Sequence, residues 1–302
     1  MKRLKAAAAN EKALKLQERG RLDEAVEMYK KACRLDPAWS TPHYNLGLLC
    51  KRQRQWEESL EHNRRAAALD AKNKAAWWNM GIAATALSRW EAARAAWHGF
   101  GIGVPDGEGP IDFPCGYGPI RINPDTEGEV VWAYRLDPAR AELASLPFPE
   151  SGHRWKDVVL NDGAPNGYRQ YKGKEVPVFD ALQLLEHSPF GTYVAHVKMP
   201  DRRDYLAQLA QGAADLEGSA EDWSVSVRVI CKACSEGRPH EAHDTQAAPP
   251  DGVHLIGLAA RDRKHATKIL RAWESDKDDV HVESLDVALE PGPSAWRLGP
   301  RG

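Results

Sequence analysis

Long apolar runs are missing from this sequence: nowhere do the roughly 18 consecutive apolar residues that cross a bilayer occur. The opening stretch, MKRLKAAAANEKALKLQERG, turns charged too soon for a secretory leader. A cytoplasmic protein with no membrane partner is the expectation. Cysteine is sparse as well, five residues in 302. That odd, scattered number excludes the dense disulfide framework of a small secreted scaffold and predicts reduced thiols. No glycine loop with a following Lys-Ser/Thr is present to cradle a phosphate, and no dinucleotide fingerprint, so nucleotide chemistry has no signature. Nor does one sign of charge dominate, with 41 Lys+Arg against 43 Asp+Glu.

What is there is a folded, multidomain composition, 42% hydrophobic and 28% charged, long enough for two or three cores. Charge is unevenly placed. Residues 1–100 hold 19 basic against 11 acidic side chains, and residues 101–302 hold 22 against 32. The asymmetry suggests an acidic partner for the front, attraction between the halves, or two differently charged solvated surfaces.

The first hundred residues repeat at a spacing of 34. Ala13, Gly47 and Gly81 are in register, as are Leu22, Trp56 and Trp90; Ala25, Ser59 and Ala93; and Tyr29, Asn63 and Trp97. A small residue lets antiparallel helices approach closely, and large residues at helical spacing fill the gap between neighbouring pairs. The segment ERGRLDEAVEMYKKACRLDP, residues 18–37, closely resembles the tetratricopeptide repeat (TPR), with Gly20, Leu22, Ala25, Tyr29, Ala32 and Pro37 in place. Two further copies follow, so the resemblance covers about residues 4–100. Lys12 departs from the family pattern in the first copy, Ala71 in the second and Phe100 in the third, and the third helix pair is expected to end early, near HGFGIG.

The resemblance implies binding of a protein or peptide in a concave groove. Carried over position by position, that groove would be lined by Asn10, Leu14, Gln17, Tyr44, Leu48, Lys51, Trp78, Ile82 and Thr85. Of the carboxylate-clamp residues of chaperone-binding relatives only Asn45 matches, which argues against a chaperone adaptor. Packing between helices is an equal alternative for the aromatics Tyr44 and Trp78.

A Gly/Pro-rich connection, 101–118, precedes β-like runs over 119–187, where EVVWAYRL and KDVVLND read as strands and Asn-Gly and Lys-Gly as turns of a small twisted sheet or partly open barrel. Glu150, Ser151 and His153 stand close in sequence, an arrangement that rarely makes a nucleophile with its base. Residues 188–290 alternate as strand, helix, strand, strand, helix, strand, with TYVAHVKM, WSVSVRVI, VHLIGLAA and VHVESLDVAL as strands. Residues 291–302 read as a flexible tail. The fold class expected is multidomain α + (α+β): a TPR solenoid over 1–100, a small β domain and a ferredoxin-like βαββαβ domain.

In the long connection between the second and third strands of that last domain lies CKACSEGRPHEAH. Its Cys231, Cys234, His240 and His243 have the ligand types and number of a tetrahedral zinc site, with reduced thiols and solvated histidines as the plainer alternative. Four protein ligands would make the site structural, since catalysis needs an open position. No other cofactor and no catalytic residue is expected. The function this favours is a non-enzymatic protein-binding protein, an adaptor or a bacterial immunity protein. The alternatives are an enzyme that recruits substrate through its repeats, for which His153, Asp157, Glu186 and His196 would have to converge, and an RNA-binding protein.

Overall fold

Residues 1–126, 128–200, 202–224 and 252–293 are described by the computed structural model. They form two compact units, Met1–Phe113 and Pro114–Gly302.

The first unit is six helices: α1 Lys2–Glu18, α2 Leu22–Leu35, α3 Ser40–Arg52, α4 Trp56–Leu69, α5 Lys74–Ala86 and α6 Trp90–Phe100. They pair as three hairpins, and the 34-residue register explains each pair. Tyr29 is fully buried in one core cluster with Ala13. A Cβ added at Gly47 would stand 2.5 Å from the Asn63 amide, and one at Gly81 2.5 Å from the Trp97 ring. The small position therefore exists to receive the large one 16 residues on, and polar bonds lock the second pair: Ser59 Oγ donates to the Gly47 carbonyl and Asn63 Nδ2 to the Ser59 carbonyl.

Each hairpin turn uses a left-handed residue at the same register, Gly20 (φ 72°), Arg54 (φ 57°) and Ser88 (φ 56°). The following amide reaches back to the last helical turn, Arg21 N to Leu16 O at 2.9 Å and Arg89 N to Ala84 O at 2.8 Å, which is the bonding a helix uses to stop. Only glycine takes that conformation without strain. The third pair does end early: α6 has 11 residues against 14 for α2 and α4 and stops at left-handed Gly101. No further helix follows in this unit. Buried Arg94 donates to the carbonyls of Pro105 (3.0 Å) and Gly109 (2.9 Å), and His98 lies 2.8 Å from that of Val104, so the Gly/Pro segment is laid along α6 as a strap.

The second unit opens with β1 Gly116–Ile122, β2 Glu129–Arg135, β3 Arg140–Leu143, β4 Val158–Tyr171 and β5 Lys174–Glu186. These close into a barrel, the meander sealed by parallel pairing of β1 with β5. Arg121 forks onto Asp180 across that seam at 2.7 and 2.9 Å. Closure corrects the expectation of a partly open barrel, and β3 had no strand-like signal in the sequence. It is set by Asp137, whose Oδ1 accepts the amides of Ala139 and Arg140 while Oδ2 takes Arg140 Nε at 2.6 Å. The Lys-Gly turn forms as expected, with Lys172 and Gly173 both left-handed between Tyr171 and Lys174. Asn166-Gly167 makes no turn: it lies inside β4, where the register shifts between Pro165 and Tyr168 and a bulge absorbs it.

The rest of the unit is β6 Gly191–Lys198, α7 Arg203–Asp215, β7 Ser219–Asp222, β8 Val253–Ala260, α8 Arg263–Glu274 and β9 His281–Leu289. The sheet order is β7-β8-β6-β9 with antiparallel neighbours. Both helices share one core cluster on one face, with Leu209, Ala213, Ile269 and Trp273 over Ala195, Val197, Ile256 and Leu258. The second strand starts earlier than expected: the Gly218 amide closes the end of α7 on the Ala213 carbonyl and pairing begins at Ser219, while 225–230 lie outside the described residues. On the other face Val194, Leu255, Ala259 and Trp223 meet Leu146, Phe148 and Trp155 of the β3–β4 connection.

Candidate functional site

Helices α1 and α3 carry most of the expected groove positions. A hydrogen bond from Asn45 Nδ2 to Asn10 Oδ1 (3.1 Å) ties them side by side. Leu14 is 39% exposed on this face. Gln17, Tyr44, Asn45 and Leu48 are half-buried, and Gln17 accepts the Tyr29 hydroxyl at 3.2 Å. The remaining positions do not form an open lining. Asn10, Lys51, Ile82 and Thr85 are buried, the last two at 0% and 1% exposure, and offer no surface to a ligand. Trp78 packs edge-on to Trp97 (5.2 Å) and Phe100 (4.7 Å), which makes it a contact between α5 and α6. The physical reason is the sequence of α5, AAWWNMGIAATA, too apolar to leave a wet face.

A second cluster was not read from the sequence. Cys33 on α2, His43 on α3 and His62 on α4 bring one ligand atom each to within 4.8 Å of one another. The two Nδ1 atoms are hydrogen-bonded at 3.2 Å, one ring donating and the other accepting according to tautomer. Burial, then the charges of His62 and Arg65, push the His43 imidazole down to about 4, against a smaller opposing effect of Glu61 and the Pro37 carbonyl. Burial likewise lowers His62 and pushes the Cys33 thiol up to about 11. The His43 ring is therefore neutral at pH 7. His62 also lines a cleft of about 290 Å³ together with Lys30, Leu46, Cys50 and Glu58. No sequence motif could flag the trio, because its spacings of 10 and 19 residues become contacts only when the hairpins stack.

In the second unit the residues weighed for catalysis separate. Ser151 Oγ donates to the Phe148 carbonyl at 2.7 Å and accepts the His153 amide, so it shapes a short turn instead of attacking anything. Asp157, fully buried, accepts the amides of Arg154 (2.9 Å) and Ser188 (2.7 Å), with His153 Nδ1 at 3.5 Å and His187 Nδ1 at 4.0 Å. Its carboxylate holds loops. His196 lies elsewhere, beside Ser284 on β9 at 3.0 Å, and Glu186 at the exposed end of β5. The four do not converge. Cys231, Cys234, His240 and His243 lie outside the described residues.

The barrel carries an outward aromatic stack that the sequence reading passed over. Tyr117 lies flat on Trp132 (5.1 Å, 7°) and touches Tyr134 (4.9 Å), while Trp132 meets Tyr171 at 4.6 Å. Tyr117 and Tyr134 are 41% and 56% exposed. Strict alternation along β1 and β2 was the available signal, since Ile120, Ile122, Val131 and Ala133 point into the barrel core.

The family model described as "TPR repeat" matches residues 13–54. Six of the ten groove candidates fall within that span. Among solved structures, the chain is similar to the first TPR of Spaghetti (RPAP3) bound to the HSP90 peptide SRMEEVD, at 26% identity over 32% of this chain and 78% of that one, TM-score 0.31. The second TPR of the same protein with the same peptide is similar at 20% identity over 32% and 89%, TM-score 0.30. The Arabidopsis OM64 TPR domain is similar at 21% identity over 32% and 81%, TM-score 0.30. No curated protein matches the sequence. Three helical hairpins in a 34-residue register and the family match make this a tetratricopeptide-repeat protein over its first third. Among the described residues no helix is long and apolar enough to cross a membrane.

Proposed function

We propose that the protein is a non-enzymatic interaction protein that takes a peptide segment of a partner on the α1/α3 face of its repeats. The observation that carries this is the exposed Leu14 with the half-buried amides of Gln17 and Asn45, and with Tyr44 and Leu48, on the same two helices. An apolar anchor ringed by donors and acceptors suits an extended backbone, whose amides need partners while one side chain is buried. An adaptor or a bacterial immunity protein that covers a cognate partner is the role this reading takes. The β-α-β-β-α-β order of the last sheet, with α7 and α8 on one face, supports reading it as ferredoxin-like.

The test is co-purification of the full chain from native lysate with mass spectrometry, compared with Leu14→Arg and Leu48→Glu. A stoichiometric partner recovered by the parent and lost from a folded Leu14→Arg variant supports the reading. Recovery unaffected by both substitutions removes the α1/α3 face, and a substrate turned over by protein that recovers no partner removes the class.

One observation favours a second reading, in which the barrel binds a single-stranded nucleic acid. Exposed stacked rings offer a platform to unpaired bases, worth about 1–3 kcal/mol per base, and Tyr171 has the Lys172 ammonium 5.1 Å above its ring. Anisotropy with a labelled oligonucleotide at two salt concentrations tests it. Binding weakened by Trp132→Ala supports it, and equal signals for the two proteins dismiss it.

A further inference from the structure

We infer that Cys33, His43 and His62 form a binding site for a borderline transition-metal ion, zinc fitting best, that clamps the first repeat to the second. The geometry carries it. Two imidazole nitrogens bound to one zinc at about 2.0 Å stand about 3.3 Å apart at tetrahedral angles, and the two Nδ1 atoms here are 3.2 Å apart. A thiolate at about 2.3 Å would stand about 3.5 Å from each nitrogen. The ligand atoms already lie within 4.8 Å of one another, so the remaining adjustment is within reach of the Cys33 side-chain torsion.

The chemistry of the donors agrees. A soft thiolate with two imidazoles selects zinc or copper over magnesium or calcium. All three ligands project from helices held by the repeat packing, a rigid arrangement that fixes their spacing. His62 also borders the 290 Å³ cleft, which leaves a way in for the ion and a fourth position for water or for Glu58, one helical turn before His62. Without the ion the two neutral rings share one hydrogen bond between their Nδ1 atoms, and an ion bound between those atoms would take its place. Binding replaces the thiol proton: the S–H bond breaks, the S–Zn bond forms, and one proton leaves to solvent for each ion bound.

Cys231 and Cys234 supply thiols of their own, so the experiment uses the full chain carrying Cys231→Ser and Cys234→Ser, stripped of metal. Titration with Co²⁺ should give a thiolate-to-cobalt charge-transfer band and the intense visible bands of a tetrahedral ion at one equivalent, with one proton released. Zinc should then displace the cobalt. Cys33→Ala should abolish the charge-transfer band, and His62→Gln should weaken zinc binding by about 10–100-fold, each with the helical circular dichroism of the apoprotein retained. The site is overturned if the background protein shows no thiolate band, or if the band survives Cys33→Ala. Should Cys33→Ala fail to fold, His62→Gln decides: zinc affinity equal to the background's refutes the site, and the loss expected upholds it. Failure here would leave the α1/α3 face untouched, since neither Leu14 nor Leu48 belongs to the cluster.

Discussion

Tyr29 with Ala13, Asn63 on Gly47 and Trp97 on Gly81 are one packing contact made three times. In the β-rich unit the corresponding work is done by contacts that occur once: Asp137 shaping the β2–β3 turn, Asp157 holding two loops, Arg121 sealing the barrel seam to Asp180. The helical unit satisfies its backbone locally and needs side chains only to fit, whereas a small barrel with short strands needs buried carboxylates to hold turns that no ladder covers. The two units should therefore fail differently, one through shape and the other through unsatisfied polar groups.

The largest expected effect is at Asp157. Asp157→Ala leaves the buried amides of Arg154 and Ser188 without an acceptor and should cost about 3 kcal/mol. Hydrogen exchange read by mass spectrometry should show it in β3–β5 and not in α1–α6; faster exchange in both units would erase the contrast. Gly81→Val drives a side chain into the Trp97 ring and should cost about 2 kcal/mol, with the exchange pattern reversed. Urea unfolding with an unchanged midpoint would show that the close approach is not needed.

Acid should act on the helical unit through His43. Its folded value of about 4 lies below the ordinary 6.5. Between those values the unfolded chain binds more protons, so the stability present above pH 6.5 is lost as pH falls towards 4. His62 shifts the same way, and by about pH 5 the loss from His43 alone should be about 2 kcal/mol. Thermal melts of parent and His43→Gln across that range measure it, and parallel pH profiles would exclude His43 as the cause. Smallest is a gain: Ser88→Gly relieves a left-handed residue that the first repeat already fills with Gly20, and should stabilise by about 0.5–1 kcal/mol. A lower melting temperature would refute it.

The helical unit was legible because its information is periodic. Once Ala13, Gly47 and Gly81 were in register the hairpins and their partners followed, down to the short α6. The barrel was half legible: β2 and β4 announce themselves by β-branched residues, but β3 is four residues long and exists because Asp137 folds the chain ahead of it. Asn-Gly at 166–167 misled for a related reason, since a dipeptide that favours a turn is overruled where the partner strand continues past it. Groove positions carried over from the family are exposed or half-buried on α1 and α3, Asn10 and Lys51 excepted. They failed on α5, where Ile82 and Thr85 are buried, because the family pattern fixes where a side chain points and not what later covers it. The Cys33–His43–His62 trio was invisible on the same account: its members meet across three helices.

Arg94 gives the array a length. Its guanidinium is buried on the last helix of the array, and it holds the chain of 105–109 along that helix. A solenoid can grow by duplicating its terminal unit; here the last helix already carries a bound segment of chain. New copies would be tolerated between existing ones, each bringing its own small and large positions, while an insertion directly after Phe100 would have to evict the strap first. One arginine thus ties the glycine-rich ribbon to the last helix pair.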